Sequence, residues 1–288
     1  SAALTEEAMV RTIEALEVCA AKMRRRGVSR ARAVATDACR RARNGGEFLA
    51  RVAKETGIGL EVIAPKEEAR LALAGCTPLF EPEVPRALLF DIGGGSTQLS
   101  WIGLDSYGRP RILGWTSLPC GVVRMAESYG GDRIPSSVYR AMVRHVEDLL
   151  EPFDRTYGLA EEVAAGRVQM LGTSGTVTTL AGVYLDLPRY DRRKVDGLSL
   201  SFAEVDAVTA RLLAMDYVSR AALPSVGPQR ADLLVAGCAV LEAMRRRWPV
   251  GTLRVADRGL REGMLLGMMA AEKAGRGEAH AWPRPARS

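Results

Sequence analysis

The chain has 288 residues and a net charge of +6, with 47% hydrophobic and 26% charged residues, which is typical of a globular protein large enough for two domains. No apolar run approaches the ~18 residues of a membrane-spanning helix, no secretory leader is visible, and the five cysteines form no Cys-x-x-Cys pair. We therefore expect a cytoplasmic protein with no membrane partner, zinc site or disulfide. Arginine, which suits phosphate, supplies 35 of the 40 basic residues, but no aromatic residues interleave with the basic runs, so we expect no nucleic-acid partner.

The first part of the chain alternates helices with strands. Apolar residues at helical spacing predict a helix between Thr5 and Gly27. Further strands are predicted at residues 31–36 and 60–63, and further helices at residues 37–43, 47–56 and 66–75. This alternation indicates an α/β layer. The acidic, proline-containing segment 81–85 is a natural boundary, so we assign residues 1–85 to a first domain.

A glycine-rich turn between two apolar strands, predicted at residues 87–90 and 98–102, follows this boundary. The turn is typical of phosphate sites, because its backbone N–H groups can converge on an anion where no Cβ blocks the approach. The candidate phosphate-binding residues are Gly93, Gly94, Gly95, Ser96 and Thr97. Asp91, just before the turn, suits a metal that is shared with a phosphate. A glycine-rich hairpin without a ligand is the alternative interpretation.

A second turn of the same kind follows a buried strand predicted at residues 168–171. It precedes a helix predicted at residues 177–181, so a helix N-terminus would lie close to the ligand and favour an anion. Its candidate phosphate-binding residues are Gly172, Thr173, Ser174 and Gly175. Two such turns predict a nucleotide or a phosphate held in a cleft.

The remaining elements complete a second domain over residues 86–257. We predict strands at residues 111–118 and 253–256, and helices at residues 121–129, 135–150, 203–213 and 230–247. Residues 258–274 are predicted to form a hinge and a last helix that returns to the first domain. The tail, residues 275–288, is rich in Pro, Arg and Gly and is expected to be disordered.

Five separate blocks, in order, resemble the exopolyphosphatase / guanosine pentaphosphate phosphatase (Ppx/GppA) family. They are Ala-Thr-Asp-Ala-Cys-Arg at residues 35–40, Glu-Glu-Ala-Arg at residues 67–70, residues 91–97, residues 172–179, and Ala-Asp-Arg-Gly-Leu-Arg-Glu-Gly at residues 256–263. The resemblance is to the short form of the family, without a C-terminal HD-type domain. It implies an α/β fold of two actin-like (ribonuclease H-like) ATPase-superfamily domains with a cleft between them. It also implies Mg²⁺-assisted hydrolysis of a phosphoanhydride.

The resemblance assigns roles to individual residues. The family's catalytic base falls on Glu68, a phosphate-contacting arginine falls on Arg40, and the aspartate ahead of the triple glycine, a candidate Mg²⁺ ligand, falls on Asp91. Taken alone, Glu68 is typical of a solvated helix residue that pairs with neighbouring charges, and only the family block assigns it a catalytic role. Its neighbour Glu67 keeps that interpretation.

Two departures from the family pattern bear on activity. The family commonly has glutamate where this chain has Gln98, and glutamine cannot take a proton or bind Mg²⁺ as strongly. We keep Gln98 among the candidate catalytic residues. The family's first phosphate loop has no counterpart before Thr5, so the first domain is expected to lack its N-terminal strands.

Three functions stay open at this point. The first is release of orthophosphate from inorganic polyphosphate or from the guanosine alarmone pppGpp, two substrates that present the same terminal phosphoanhydride. The second is a non-catalytic polyphosphate or alarmone sensor, which Gln98 favours. The third is a sugar- or acetate-kinase-like phosphotransferase, against which the Glu-Glu-Ala-Arg block argues. A homodimer is compatible with each of them.

Overall fold

A computed structural model describes residues 3–130 and 134–273, and these divide into two units. One unit is Ser1–Leu71 with Gly263–Ser288, and the other is Ala72–Glu262. The tail predicted to be disordered lies outside the described residues, and the assignment of residues 1–85 to a first domain stays a prediction. In the described ranges no helix combines the length and the apolar character that crossing a membrane requires.

The first unit packs helices against a small parallel sheet. Its elements are α1 (Glu6–Arg25), β1 (Ala33–Ala35), α2 (Asp37–Arg41), α3 (Gly45–Thr56), β2 (Leu60–Val62), the start of α4 (Pro65–Cys76) and most of α13 (Leu260–Lys273). Strands β1 and β2 pair in parallel. The α1 side chains Met9 and Ile13 are buried with Phe48 and Val52 of α3, as the helical spacing of apolar residues predicted.

The second unit is built on a six-stranded sheet in the order β5-β4-β3-β6-β8-β7. The strands are β3 (Arg86–Ile92), β4 (Thr97–Leu104), β5 (Pro110–Leu118), β6 (Val168–Thr173), β7 (Ser199–Ser201) and β8 (Thr252–Ala256). Strands β3, β6 and β8 run parallel, whereas β4, β5 and β7 pair antiparallel to their neighbours. Most residues of the parallel strands β3 and β6 are buried and apolar, because helices cover the sheet and both faces of these strands contact the core. The predicted α/β class is confirmed.

The helices of this unit are α5 (Val122–Tyr129), α6 (Ser136–Tyr157), α7 (Leu159–Ala164), α8 (Ser174–Tyr184), α9 (Arg192–Val195), α10 (Phe202–Ala214), α11 (Tyr217–Ala221) and α12 (Leu234–Arg247). The largest core cluster joins the sheet to several of them, with Phe90, Met142 and Val240 among its members. Helix α8 follows β6, a strand of the parallel set, without an intervening residue. The end of β6 and the start of α8 are therefore fixed together.

Several helix boundaries differ from the prediction, among them the start of α8 at Ser174 rather than at residue 177. Helix α6 continues past residue 150, through Pro152, to Tyr157, because burial of Phe153 outweighs the poor fit of proline in a helix. Helix α12 begins at Leu234 rather than at residue 230. Arg230 consequently lies in the preceding turn.

Candidate active site

The first glycine-rich turn occupies residues 93–96, between β3 and β4. The Gly93 N–H closes the turn by donating to the Ser96 carbonyl oxygen at 3.0 Å. Within the ranges that the structure describes, the N–H groups of Gly94, Gly95 and Ser96 donate to no backbone oxygen. Unpartnered N–H groups of consecutive residues in a turn form an anion-binding concavity. The turn therefore has the donors that a phosphate needs.

The carbonyl groups of the same turn hold it in place. The Gly93 carbonyl accepts from the Val122 N–H and the Gly94 carbonyl from the Val123 N–H, each at 2.9 Å. This close approach requires glycine at residue 121, because a Cβ there would lie 2.3 Å from the Gly94 carbonyl oxygen. The buried Thr97 hydroxyl donates to the Cys120 carbonyl at 2.9 Å. That hydroxyl is therefore engaged within the protein.

The second predicted turn, residues 172–175, is instead the last two residues of β6 followed directly by the first two of α8, and we keep the name second turn for this junction. It combines packing with an open helix N-terminus. A Cβ on Gly172 would lie 2.5 Å from Cζ of Phe90, so packing requires glycine there. The Thr173 hydroxyl donates to the Arg258 carbonyl at 2.6 Å. Helix α8 begins at Ser174, and no side chain caps its first N–H groups. Uncapped N–H groups at a helix N-terminus favour an anion.

Ser174 and Asp91 connect the two turns. Ser174 has a φ of +76°, a left-handed conformation that costs a non-glycine residue about 1–3 kcal/mol. Its hydroxyl donates to Oδ1 of Asp91. Asp91 is paired in register with Gln98 on one side and with Thr173 on the other. The Asp91 carboxylate consequently lies in a row of three polar side chains across the sheet, between Gln98 and Thr173.

This row fits a metal ion that is shared with a substrate. Among the described residues there is no group of three or more His, Cys, Asp or Glu that could hold a metal alone. Mg²⁺ in phosphate sites commonly keeps several waters and takes one or two protein carboxylates besides the phosphate oxygens. The Asp91 carboxylate, with the neutral Gln98 carboxamide paired beside it, suits that mode of binding.

A pocket of about 240 Å³ adjoins both turns. Its walls combine turn residues with aliphatic side chains and one arginine, namely Ile92, Gly93, Gly94, Val122, Ser174, Gly175, Thr176, Thr179, Arg230, Leu233 and Leu234. Arg230 Nη1 donates to the Thr179 hydroxyl at 3.2 Å, and a Cβ on Gly175 would lie 3.4 Å from the guanidinium. Sequence reasoning missed Arg230, because nothing local distinguishes it from the other arginines.

Glu68 and Arg40, both in the first unit, lie together. Nη1 and Nη2 of Arg40 lie 3.4 and 3.3 Å from Oε2 of Glu68, and the two side chains are only 18% and 17% exposed. Arg40 also donates to the Ile63 carbonyl and lies 3.7 Å from the Asp37 carboxylate. The structure thus orients the Glu68 carboxylate through an arginine.

Glu67 has different partners, although it neighbours Glu68 in the chain. Its carboxylate pairs with Arg70 at 2.7 Å and with Arg32 at 3.7 Å. The hydrogen bond from Arg70 lowers the pKa of Glu67. The two glutamates therefore have separate environments, one oriented by Arg40 and one paired on the surface.

The two cysteines nearest the turns are poor nucleophiles. Burial raises the pKa of the Cys76 thiol to about 12 and that of the Cys120 thiol to about 11. A thiol of such a pKa is not the reactive thiolate that covalent catalysis needs. Among the described residues, carboxylates, arginine and backbone N–H groups stay the candidates for the chemistry of the site.

The last of the five sequence blocks fixes the exit from β8. Arg258 Nε donates to Oδ2 of Asp196 at 2.7 Å, and the Asp257 N–H donates to the other oxygen of the same carboxylate at 3.1 Å. The Arg258 carbonyl accepts from Thr173, and Cys76 Sγ lies 3.6 Å from it. Arg258 therefore supports the second turn, as a structural residue would.

Comparison with known proteins identifies the family. The model of the Ppx/GppA phosphatase family matches residues 1–272. The chain belongs to this family. The resemblance found in the five sequence blocks is thereby confirmed.

Named relatives and solved structures agree with this assignment. Exopolyphosphatase 1 of Mycobacterium leprae is 32% identical over 256 residues, covering 86% of this chain and 71% of its own. Exopolyphosphatase 2 of Mycobacterium tuberculosis is 30% identical, covering 91% of this chain and 82% of its own. The structure of an exopolyphosphatase from Cytophaga hutchinsonii is 25% identical with a TM-score of 0.82, covering 94% and 85%. The Aquifex aeolicus Ppx/GppA structure is 28% identical with a TM-score of 0.75, covering 94% and 84%.

Proposed function

We propose that this Ppx/GppA chain is an exopolyphosphatase, which hydrolyses the terminal phosphoanhydride bond of inorganic polyphosphate and releases orthophosphate. The observation that carries the proposal is the pair of adjacent turns with unpartnered backbone N–H groups, joined through Asp91. The names of the relatives from Mycobacterium leprae and Cytophaga hutchinsonii support the same substrate.

Phosphate oxygens are held by backbone donors in this proposal. The N–H groups of Gly94, Gly95 and Ser96 and those of the first α8 residues bind the terminal phosphate. Arg230 contributes a guanidinium beside the second turn, where it neutralises charge on the oxygens. Fixed donors of this kind stabilise the charge that spreads over the equatorial oxygens in phosphoryl transfer. The Thr97 and Thr173 hydroxyls shape the turns.

Magnesium is the cofactor that the site fits. Asp91 would hold Mg²⁺, with the Gln98 carboxamide oxygen as a weaker donor beside it. When bound, the ion neutralises charge between the Asp91 carboxylate and the phosphate, which would otherwise repel each other.

Glu68 serves as general base. Its carboxylate accepts a proton from the water that attacks the terminal phosphorus, and the shortened polyphosphate leaves on its own bridging oxygen. Arg40 fixes the direction of that carboxylate from Oε2. A loose transition state requires little covalent participation, so orientation of the water is the main task of the base.

The test compares the neighbouring glutamates. We expect Glu68→Gln to lower orthophosphate release from medium-chain polyphosphate, with Mg²⁺ present, by at least about 100-fold, because general-base catalysis contributes that much. Glu67→Gln is the matched control, since the same change is made one residue away on a surface-paired carboxylate. A parent chain that releases no phosphate, or equal rates for Glu68→Gln and the parent, would contradict the proposal.

A guanosine substrate is the second candidate, and one observation favours it. The pocket beside the turns has aliphatic walls from Ile92, Val122, Leu233 and Leu234, which polyphosphate does not need and a nucleobase does. Comparing kcat/KM for pppGpp and for polyphosphate in the parent and in Leu233→Asp separates the two. A loss confined to pppGpp supports a nucleobase in the pocket.

The hypothesis of a non-catalytic sensor rests on Gln98. A chain that binds polyphosphate tightly in calorimetry but does not hydrolyse it would be a sensor.

We also propose that the protein is a cytoplasmic homodimer. Sedimentation velocity tests the oligomeric state, and fractionation of the source cells tests the location.

A further inference from the structure

Ser174 combines a strained backbone with a directed side chain. Its φ of +76° lies in the region that glycine adopts freely and serine rarely does, and glycines stand at two nearby positions, Gly172 and Gly175. Glycine at residue 174 would remove the strain. It would also remove the hydroxyl that donates to Oδ1 of Asp91, which is 83 residues away in the sequence.

Contacts that do not involve the Ser174 hydroxyl hold the second turn in place, so this hydroxyl is not needed to fix the backbone there. The adjacent Thr173 hydroxyl anchors the turn to the Arg258 carbonyl, and Thr178 Oγ1 donates to the Ser174 carbonyl at 3.0 Å within α8. Gly172 packs against Phe90. The bond from Ser174 acts instead on the carboxylate at the end of β3.

We propose that Ser174 is a positioning residue for Asp91. The left-handed backbone sets the direction of the Cα–Cβ bond, and this direction brings the hydroxyl onto Oδ1. The bond selects one orientation of the carboxylate towards a divalent cation that is shared with phosphate. The inference deepens the proposed function and rests on it. It assigns the side chain of Ser174 to Asp91 and leaves phosphate binding to its backbone.

Three substitutions separate the hydroxyl from the strain. Ser174→Ala keeps the strain and loses the hydroxyl, Ser174→Gly loses both, and Ser174→Thr keeps the hydroxyl while a β-branched side chain increases the strain. Thermal stability should therefore rank Gly above Ala, and Ala above Thr. Cation affinity should instead follow the hydroxyl, with Thr close to the parent and with Ala and Gly weakened together.

The binding readout is Mn²⁺ titrated by electron paramagnetic resonance in the presence of methylenediphosphonate, a phosphate pair whose bridging carbon resists hydrolysis. We expect Ala and Gly to weaken Mn²⁺ binding about tenfold, as loss of a hydrogen bond to a metal ligand commonly does. We expect Thr to stay near the parent. In steady-state kinetics, Ala and Gly should raise the half-saturating Mg²⁺ concentration by the same factor.

The control is Thr178→Val, which removes a buried hydroxyl from the same end of α8 and should change thermal stability while leaving Mn²⁺ affinity at the parental value. Parental Mn²⁺ affinity in Ser174→Gly would overturn the proposal, as would an affinity that follows thermal stability across the three variants. If the parent releases no orthophosphate, the proposed function fails while the Mn²⁺ titration still decides the role of Ser174.

Discussion

Asp91 and Gln98 face each other across the β3–β4 pair, and a single substitution there changes the charge of the site. Side chains directly opposite on antiparallel strands have Cβ atoms about 5 Å apart. Gln98→Glu therefore places two carboxylates side by side. Like charges in that position destabilise a sheet unless a cation lies between them.

We predict that Gln98→Glu lowers the half-saturating Mg²⁺ concentration about tenfold, because a second carboxylate joins the ligands. The thermal midpoint of the variant should fall in EDTA and recover on addition of Mg²⁺. Differential scanning fluorimetry with and without the metal measures both effects, and Gln98→Asn, which adds no charge, is the control. Equal midpoints for the variant in EDTA and in Mg²⁺ would place the metal elsewhere.

A second prediction concerns Arg230. Arg230→Gln should raise KM for polyphosphate about tenfold, since a hydrogen bond to a charged group is worth about 1.5–3 kcal/mol. The matched control is Arg193→Gln, because the Arg193 side chain is 91% exposed and pairs with Asp191 at the N-terminus of its own helix, α9. Steady-state kinetics at fixed Mg²⁺ compare the two. An unchanged KM in Arg230→Gln would remove this residue from substrate binding.

The sequence indicates some of these residues better than others. Asp91 and the glycine turns have local signatures, a carboxylate at a strand end and successive residues without Cβ. The direction of the Thr97 hydroxyl depends on Cys120, 23 residues away, and that of Thr173 on Arg258, 85 residues away. Arg230 approaches Gly175 only through the packing of a turn before α12. Contacts made by folding leave no pattern in the nearby residues.

At the scale of elements, strands β3 and β6 must lie close together where the two turns begin. Gly172 of β6 faces the Phe90 ring of β3, its partner in register. We predict that Gly172→Ala lowers the free energy of unfolding by about 1–3 kcal/mol, because overpacking forces the ring or the strand to move. Urea denaturation measures this change.

The comparison for that prediction is Gly95→Ala. A Cβ on Gly95 would have no heavy atom within 4 Å, and this residue has a negative or extended φ. Its unfolding free energy should therefore stay within about 0.5 kcal/mol of the parent. An equal loss of stability in both variants would contradict the prediction, because it would mean that the contact with Phe90 is not what makes glycine necessary at residue 172.

Element prediction succeeded where periodicity is strong. The long amphipathic α1 and the buried strands β3 and β6 match the predicted segments closely. The short elements β7, α9 and α11 were not predicted, whereas β1, β2 and α2, which are equally short, lie within predicted segments. Three to five residues give only a weak periodic signal, so prediction of such elements is uneven. Pro152 is tolerated in α6 because the helix is already anchored by buried side chains such as Leu150.

At the scale of the whole molecule, stability should decline in alkaline solution. Burial raises the folded-state pKa of Cys76 to about 12 and that of Cys120 to about 11, from a reference value of 9.0. Above pH 9 the unfolded chain loses these protons while the folded chain keeps them, so the free energy of unfolding falls as pH rises towards the folded-state values. Below pH 9 the contribution is fully present.

Thermal midpoints between pH 8 and 11 test this linkage. We expect the parent to lose stability progressively above pH 9, and the double variant Cys76→Ala, Cys120→Ala to show a shallower decline from a lower starting value. Parallel curves for the parent and the variant would mean that other groups dominate the alkaline transition.

Phosphate binding at the first turn should be insensitive both to pH and to side-chain substitution. Its anion donors are the N–H groups of Gly94, Gly95 and Ser96, which belong to the main chain. Amide protons do not ionise in the physiological range, so phosphate affinity at this turn should vary with pH only through the titration of phosphate itself. Amides are also untouched by side-chain replacement. A substitution such as Ser96→Ala removes a hydroxyl but leaves every backbone donor in place, so the capacity to bind phosphate can outlast the loss of the carboxylates that we propose for catalysis.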